Sequence, residues 1–118
     1  MPKFMLILSS RPHVWKDLSP QELQQKAEKY QPWTDKIAAR KVSSERLLDR
    51  GGQIVSMKND KLTVVDGPYA DTKEVIGGFM VMRAASMEEA IELTRTAPML
   101  DDWTITIREV DPKGCGDT

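Results

Sequence analysis

The sequence predicts an α+β sandwich, and three observations predict it. The chain opens on a short strand that is apolar at both alternating positions. Two serine-capped helix starts follow at well-separated points. The last third carries two runs of period-two alternation. In order, Phe4-Met5-Leu6-Ile7-Leu8 within Lys3 to Ser9 suits an interior strand buried on both faces. Ser19-Pro20-Gln21-Glu22 supplies a cap, a proline at the first helical position and a glutamate three residues after the cap. Leu23, Ala27, Tyr30, Trp33 and Ile37 then fall on one helix face. Pro32 removes a backbone donor within that stripe, so a kink or break is expected near Gln31.

Lys41 to Arg50 has no clear period and reads as a connection ending at Gly51-Gly52. Ile54 to Lys58 and Lys61 to Val65 flank Asn59-Asp60, a pair that tolerates the positive φ of a two-residue hairpin. Phe79 and Val81 alternate with Met80 and Met82 in a further strand. Ser86-Met87-Glu88-Glu89 opens a second helix that should stop before Pro98, and Trp103, Ile105 and Ile107 alternate with Thr104, Thr106 and Arg108 in a last strand. The order strand, helix, hairpin, strand, helix, strand is a ferredoxin-like β-α-β-β-α-β pattern carrying the hairpin as an elaboration. Two helices cover one face of such a sheet. Met80 and Met82 oppose Phe79 and Val81, so the other face also holds large apolar groups, and a symmetric dimer packed sheet on sheet is expected.

With 118 residues the chain is sized for one domain, read as residues 1–111 followed by a disordered tail, 112–118. Charged residues make up 30 % and cancel to a formal net charge of −1, which argues against a nucleic-acid partner. No apolar run reaches about twenty residues, so no membrane span is expected. Met-Pro-Lys-Phe and the short run after it do not form a secretory signal, and a single cysteine, Cys115, fits a cytoplasmic setting. Cys115 and His13 stand at opposite ends of the chain and do not amount to a metal site. No nucleotide-binding glycine motif occurs, so no cofactor is expected.

Chemistry is densest in Asp66 to Phe79, DGPYADTKEVIGGF, directly after the strand that ends in Val64-Val65. Asp66 at a strand end is the candidate base or water-orienting group. Its alternative role is to fix the turn into Gly67-Pro68 by accepting backbone hydrogen bonds. Lys73 is either an anchor for a substrate carboxylate or a solvated partner of Asp71 and Glu74. Tyr69 and Tyr30 are candidate aromatic walls, with packing as their other role. Gly77-Gly78 either offers backbone donors to a ligand or lets neighbouring chain approach closely. Arg46 is a second candidate anion contact or a surface arginine.

DGPY, ADTKE and VIGGF together resemble the signature of the YCII-related family in its DGPF-type form. The resemblance extends over Lys3 to Val110, including the Leu18-Ser19-Pro20-Gln21-Glu22-Leu23 helix start and the strand Thr104 to Val110. It implies a ferredoxin-like dimer formed through the sheets, a dimeric α-β barrel. It also implies kinship with enzymes that act on small ring-cleavage products such as chlorinated hydroxymuconates, through a histidine and aspartate pair. The single histidine, His13, stands in the Arg11 to Asp17 loop before the first helix and not within it, so that pair does not carry over. The resemblance therefore implies one of two roles. One is proton abstraction with elimination or isomerisation on a small organic acid. The other is a non-catalytic ligand-binding or interaction module, since related domains occur with extracytoplasmic-function sigma factors.

Overall fold

In the computed structural model, residues 1–11, 18–48, 51–66 and 75–114 are described. Among them, β1 (Lys3–Ser10), α1 (Pro20–Ile37), β2 (Lys41–Arg46), β3 (Gln53–Lys58), β4 (Lys61–Asp66), β5 (Val75–Arg83), α2 (Met87–Arg95) and β6 (Thr104–Glu109) follow in chain order. The main sheet is antiparallel, ordered β2-β5-β1-β6, and β3 with β4 forms a separate two-stranded sheet. This is a ferredoxin-like α+β fold with the hairpin inserted between its second and third core strands.

The second core strand is β2, which corrects the sequence reading of Lys41 to Arg50 as a connection. All six of its residues are exposed, so no burial pattern marked it. It is an edge strand held by its ladder to β5 from Lys41↔Met82 to Arg46↔Gly78. The helix also departs from expectation, because α1 runs unbroken through Pro32 to Ile37. Downstream of the proline, Trp33 and Ile37 are buried in the core, and the Trp33 indole Nε1 donates to the Leu93 carbonyl at 2.9 Å. That anchoring offsets the donor lost at Pro32. Ala27, placed on the apolar stripe by its spacing, is exposed, and Lys26 takes the half-buried position beside it.

Ser19 caps α1 reciprocally with Glu22, as its spacing predicts. At α2 the exchange is shifted by one residue: Ser86 accepts from the Glu89 N–H, while Glu89 Oε1 accepts from Ala85 at 2.7 Å and also from Arg40 at 2.7 Å. Asn59 and Asp60 carry φ of 50° and 64°, the positive pair that a tight hairpin turn needs.

Register separates the two faces of the sheet. Phe4, Leu6, Met80 and Met82 point to the helix side and are buried with Trp33, Ile37, Ala90 and Met99. Met5, Ile7, Phe79 and Val81 share the opposite face and are only half-buried. No helix among the described residues is long and apolar enough to cross a membrane.

Candidate functional site

On the helix side, where β1 ends and β5 begins, the sheet leaves a cavity of about 300 Å³. It is lined by Leu8, Tyr30, Ser44, Glu45, Arg46, Gly77, Gly78, Phe79, Met80, Met99 and Trp103. Four local causes make it. The β1–β5 register slips between Leu8 and Ser9, which locally disturbs the ladder. Gly77 and Gly78 remove side chains from the floor. Trp103, just before β6, reaches over Gly77, and β2 closes one edge.

The glycine pair is explained by close approach. A methyl group at Gly77 would stand 2.2 Å from the Trp103 ring, and one at Gly78 would stand 2.7 Å from the Glu45 carbonyl oxygen. Neither position has space for a side chain. By strand alternation Ser44 and Arg46 project to the same side as Met80 and Gly78, towards the cavity, whereas the Glu45 side chain projects with Phe79 to the other face. Arg46 is thus placed on a strand, at the mouth of the cavity.

Tyr30 forms part of the wall from α1. Its hydroxyl donates to Asp102 Oδ2 at 3.1 Å, and the same oxygen accepts from Lys26 Nζ at 2.6 Å. Burial, reinforced by the Asp102 carboxylate, pushes the phenol well above its ordinary value, and the Trp103 side chain acts more weakly in the opposite sense. Tyr30 therefore stays protonated at neutral pH and acts as a donor and a ring surface, not as a base. Asp102 is positioned by the short 3₁₀ turn from Pro98 to Asp101, where its N–H and that of Trp103 both donate to the Met99 carbonyl. Beside it, Lys29 pairs with Asp101, which raises the lysine and lowers the carboxyl from their ordinary values.

Of the predicted site residues, the structure brings Tyr30, Arg46, Gly77 and Gly78 to one cavity. Asp66 is elsewhere: it ends β4, is exposed, and its Oδ1 accepts from Gln53 Nε2 at 3.3 Å, closing the open end of the hairpin. Tyr69, Lys73, Asp71, Thr72 and Glu74 lie outside the described residues, as do His13, Trp15 and Cys115. Trp103, Met99, Ser44 and Asp102 were not recognised as site residues from sequence. Trp103 was visible only as one more apolar position of the last strand, and nothing local joins Asp102 to Tyr30.

The model of the YCII-related domain family matches residues 3–112. Among solved structures, the chain resembles a 5-chloro-2-hydroxyhydroquinone dehydrochlorinase from Burkholderia phenoliruptrix AC1100, determined in complex with 2,5-dihydroxybenzoquinone. The TM-score is 0.56 at 14 % identity, over 92 % of this chain and 93 % of that one. No curated protein matches the sequence.

Proposed function

Starting from the fact that the chain belongs to the YCII-related family, we propose that it binds a small, ring-bearing organic acid in the cavity over Gly77-Gly78. The observation that carries this is the convergence there of an aromatic wall, Tyr30 and Trp103, with one cationic side chain, Arg46, around a space of about 300 Å³. Such a space suits a small ligand with few polar groups. Arg46 and Ser44 would hold the carboxylate or an enolic oxygen. The ring would lie between the aromatic side chains over the glycine backbone. Lys73, on the signature, is proposed as a second electrostatic anchor, and Tyr69 as a further aromatic wall.

The reaction proposed is proton abstraction followed by elimination or isomerisation, with Asp66 as the base; Asp66 does not line the cavity of its own chain, so this reading requires its carboxylate to be brought to the ligand from a second copy. In its favour, the chain shares its fold with a small-molecule dehydrochlorinase. A second reading, a non-catalytic ligand-binding or interaction module linked to sigma-factor regulation, is favoured by one observation. The Asp66 carboxylate is exposed on the hairpin and engaged with Gln53. In both readings the protein is proposed to be a homodimer, because the half-buried face of Met5, Ile7, Phe79 and Val81 is not covered by either helix; a cytoplasmic setting is proposed only from the cysteine content of the sequence.

A thermal-shift screen against small organic acids, muconate-like dienoates and lactones tests the reading on wild type, Arg46→Ala and Asp66→Asn. A ligand at about a hundred times its dissociation constant adds about 2.7 kcal/mol and raises Tm by several degrees. The shift should be lost in Arg46→Ala and kept in Asp66→Asn. Turnover of the hit should vanish in Asp66→Asn if the enzyme reading holds. Absence of any hit, or a shift indifferent to Arg46, would count against the cavity as the binding site.

A further inference from the structure

A phenol donates through a single proton and accepts at its oxygen, so the direction of that proton decides what it offers a ligand. In Tyr30 the proton is committed. The hydroxyl donates to Asp102 Oδ2 at 3.1 Å, and Lys26 Nζ, which has only protons to give, holds the same oxygen at 2.6 Å. Asp102 is not among the residues that line the cavity, whereas Tyr30 and Trp103 are. The proton is thus directed away from the cavity, and a ligand meets the phenol oxygen. The Trp103 side chain agrees with this polarity: an indole has only a donor, so its hydrogen bond with Tyr30 is accepted by that same oxygen.

Turning the proton round is unfavourable. The rotated hydroxyl gives up a charge-assisted bond and sets its lone pairs against a carboxylate whose side chain is only 19 % exposed. Asp101, paired with Lys29, adds a weaker negative field at the same phenol. Arg46, from β2, is the charged side chain directed to the cavity itself.

We propose that Asp102, held by Lys26, sets the polarity of Tyr30 so that the phenol meets a ligand as an acceptor, and that the cavity thereby selects acids carrying a protonated hydroxyl group on the ring. This rests on the reading that the cavity over Gly77-Gly78 binds a ring-bearing acid, and it narrows that class: the carboxylate goes to Arg46 and a hydroxyl proton to Tyr30. A ligand that brings only an ether or carbonyl oxygen to this point sets lone pair against lone pair, and one that brings an oxyanion does so more strongly. Tyr30 is the group that touches the ligand. Asp102 and Lys26 act through it and are positioning residues.

Isothermal titration calorimetry on the full chain tests this with benzoate, meta- and para-hydroxybenzoate and the matching methoxybenzoates, whose ether oxygen accepts but does not donate. The extra methyl group is the same against every protein, so a change in the hydroxy-to-methoxy affinity ratio between variants reads polarity and not size. Wild type should favour the hydroxyl form of at least one isomer by about tenfold or more, and Asp102→Ala, which frees the phenol to turn, should lower that ratio about tenfold. Asp102→Asn keeps an oxygen to accept the phenol proton and should keep most of the ratio. A ratio unchanged in Asp102→Ala, equal weakening of both probes included, overturns the proposal. If Asp102→Ala does not fold, wild type decides. Relative to benzoate, the preferred hydroxybenzoate should lose affinity as pH rises through its own phenol ionisation, a range over which burial and Asp102 keep Tyr30 protonated. A gain there overturns the acceptor role. Failure of benzoate to bind wild type, or binding that Arg46→Ala leaves unchanged, instead removes the cavity reading and the proposal with it.

Discussion

At the residue scale, the polar contacts of the cavity wall centre on Tyr30. Its phenol is shifted upward first by burial and then by Asp102, so the folded protein holds a proton that the unfolded chain releases near the ordinary value of 10.0. A raised folded value means that stability is intact below that pH and falls as pH rises through and beyond it. Wild type should therefore lose stability more steeply above about pH 10 than Tyr30→Phe, which has no proton to lose there; equal slopes in alkaline denaturation curves would contradict the assignment. The acid limb has the opposite sign. Glu89 is held below its ordinary value first by the Ala85 N–H and then by Arg40. Its contribution is present above the ordinary glutamate value of 4.5 and is lost as pH falls below it. Glu89→Gln should lower Tm near neutrality and flatten the acid limb of a Tm-against-pH profile.

The elements show which parts of the fold are local and which are not. Pro32 stands exposed in the middle of α1, so replacing it removes no core packing and restores one helical hydrogen bond. Pro32→Ala should stabilise the protein by about 1–3 kcal/mol in urea titration. Gly78→Ala acts in the other direction: its methyl group meets the Glu45 carbonyl at 2.7 Å, and relief requires β2 to move away from β5. A loss of about 1–3 kcal/mol is expected, with faster amide exchange in residues 41–46.

Both helices, the hairpin turn, the interior first strand and the alternating strands were legible because their signals are local: a cap, a period, a pair of residues that accept positive φ; the expected burial of the first strand on both faces holds for one face only, since Met5 and Ile7 are half-buried. β2 was not, since an all-exposed edge strand is fixed by its partner's ladder and has no pattern of its own. Four members of the cavity, Tyr30, Arg46, Gly77 and Gly78, were legible as residue types. The pairing of Tyr30 with Asp102 and the seat of Trp103 on Gly77 were not, because only tertiary packing joins them.

For the whole molecule, the decisive quantity is the apolar surface that one chain leaves in water. The core beneath the helices is small, built from Phe4, Leu6, Trp33, Ile37, Met80, Met82, Met99 and three alanines. Most hairpin residues and the outer face of β1 and β5 remain accessible to solvent. If those surfaces are covered by a second copy, folding and association are linked, and the apparent stability must depend on protein concentration. Each tenfold rise in concentration then adds about 1.4 kcal/mol per dimer unfolded and should raise Tm by a few degrees. Met5→Glu/Val81→Glu, on the outer face of β1 and β5, should lose most of that dependence and melt near the low-concentration limit of wild type. Scanning calorimetry over a hundredfold concentration range reads both effects. A wild-type Tm that does not move would mean that the chain is stable with these faces in water, and the sheet dimer would then have to be given up.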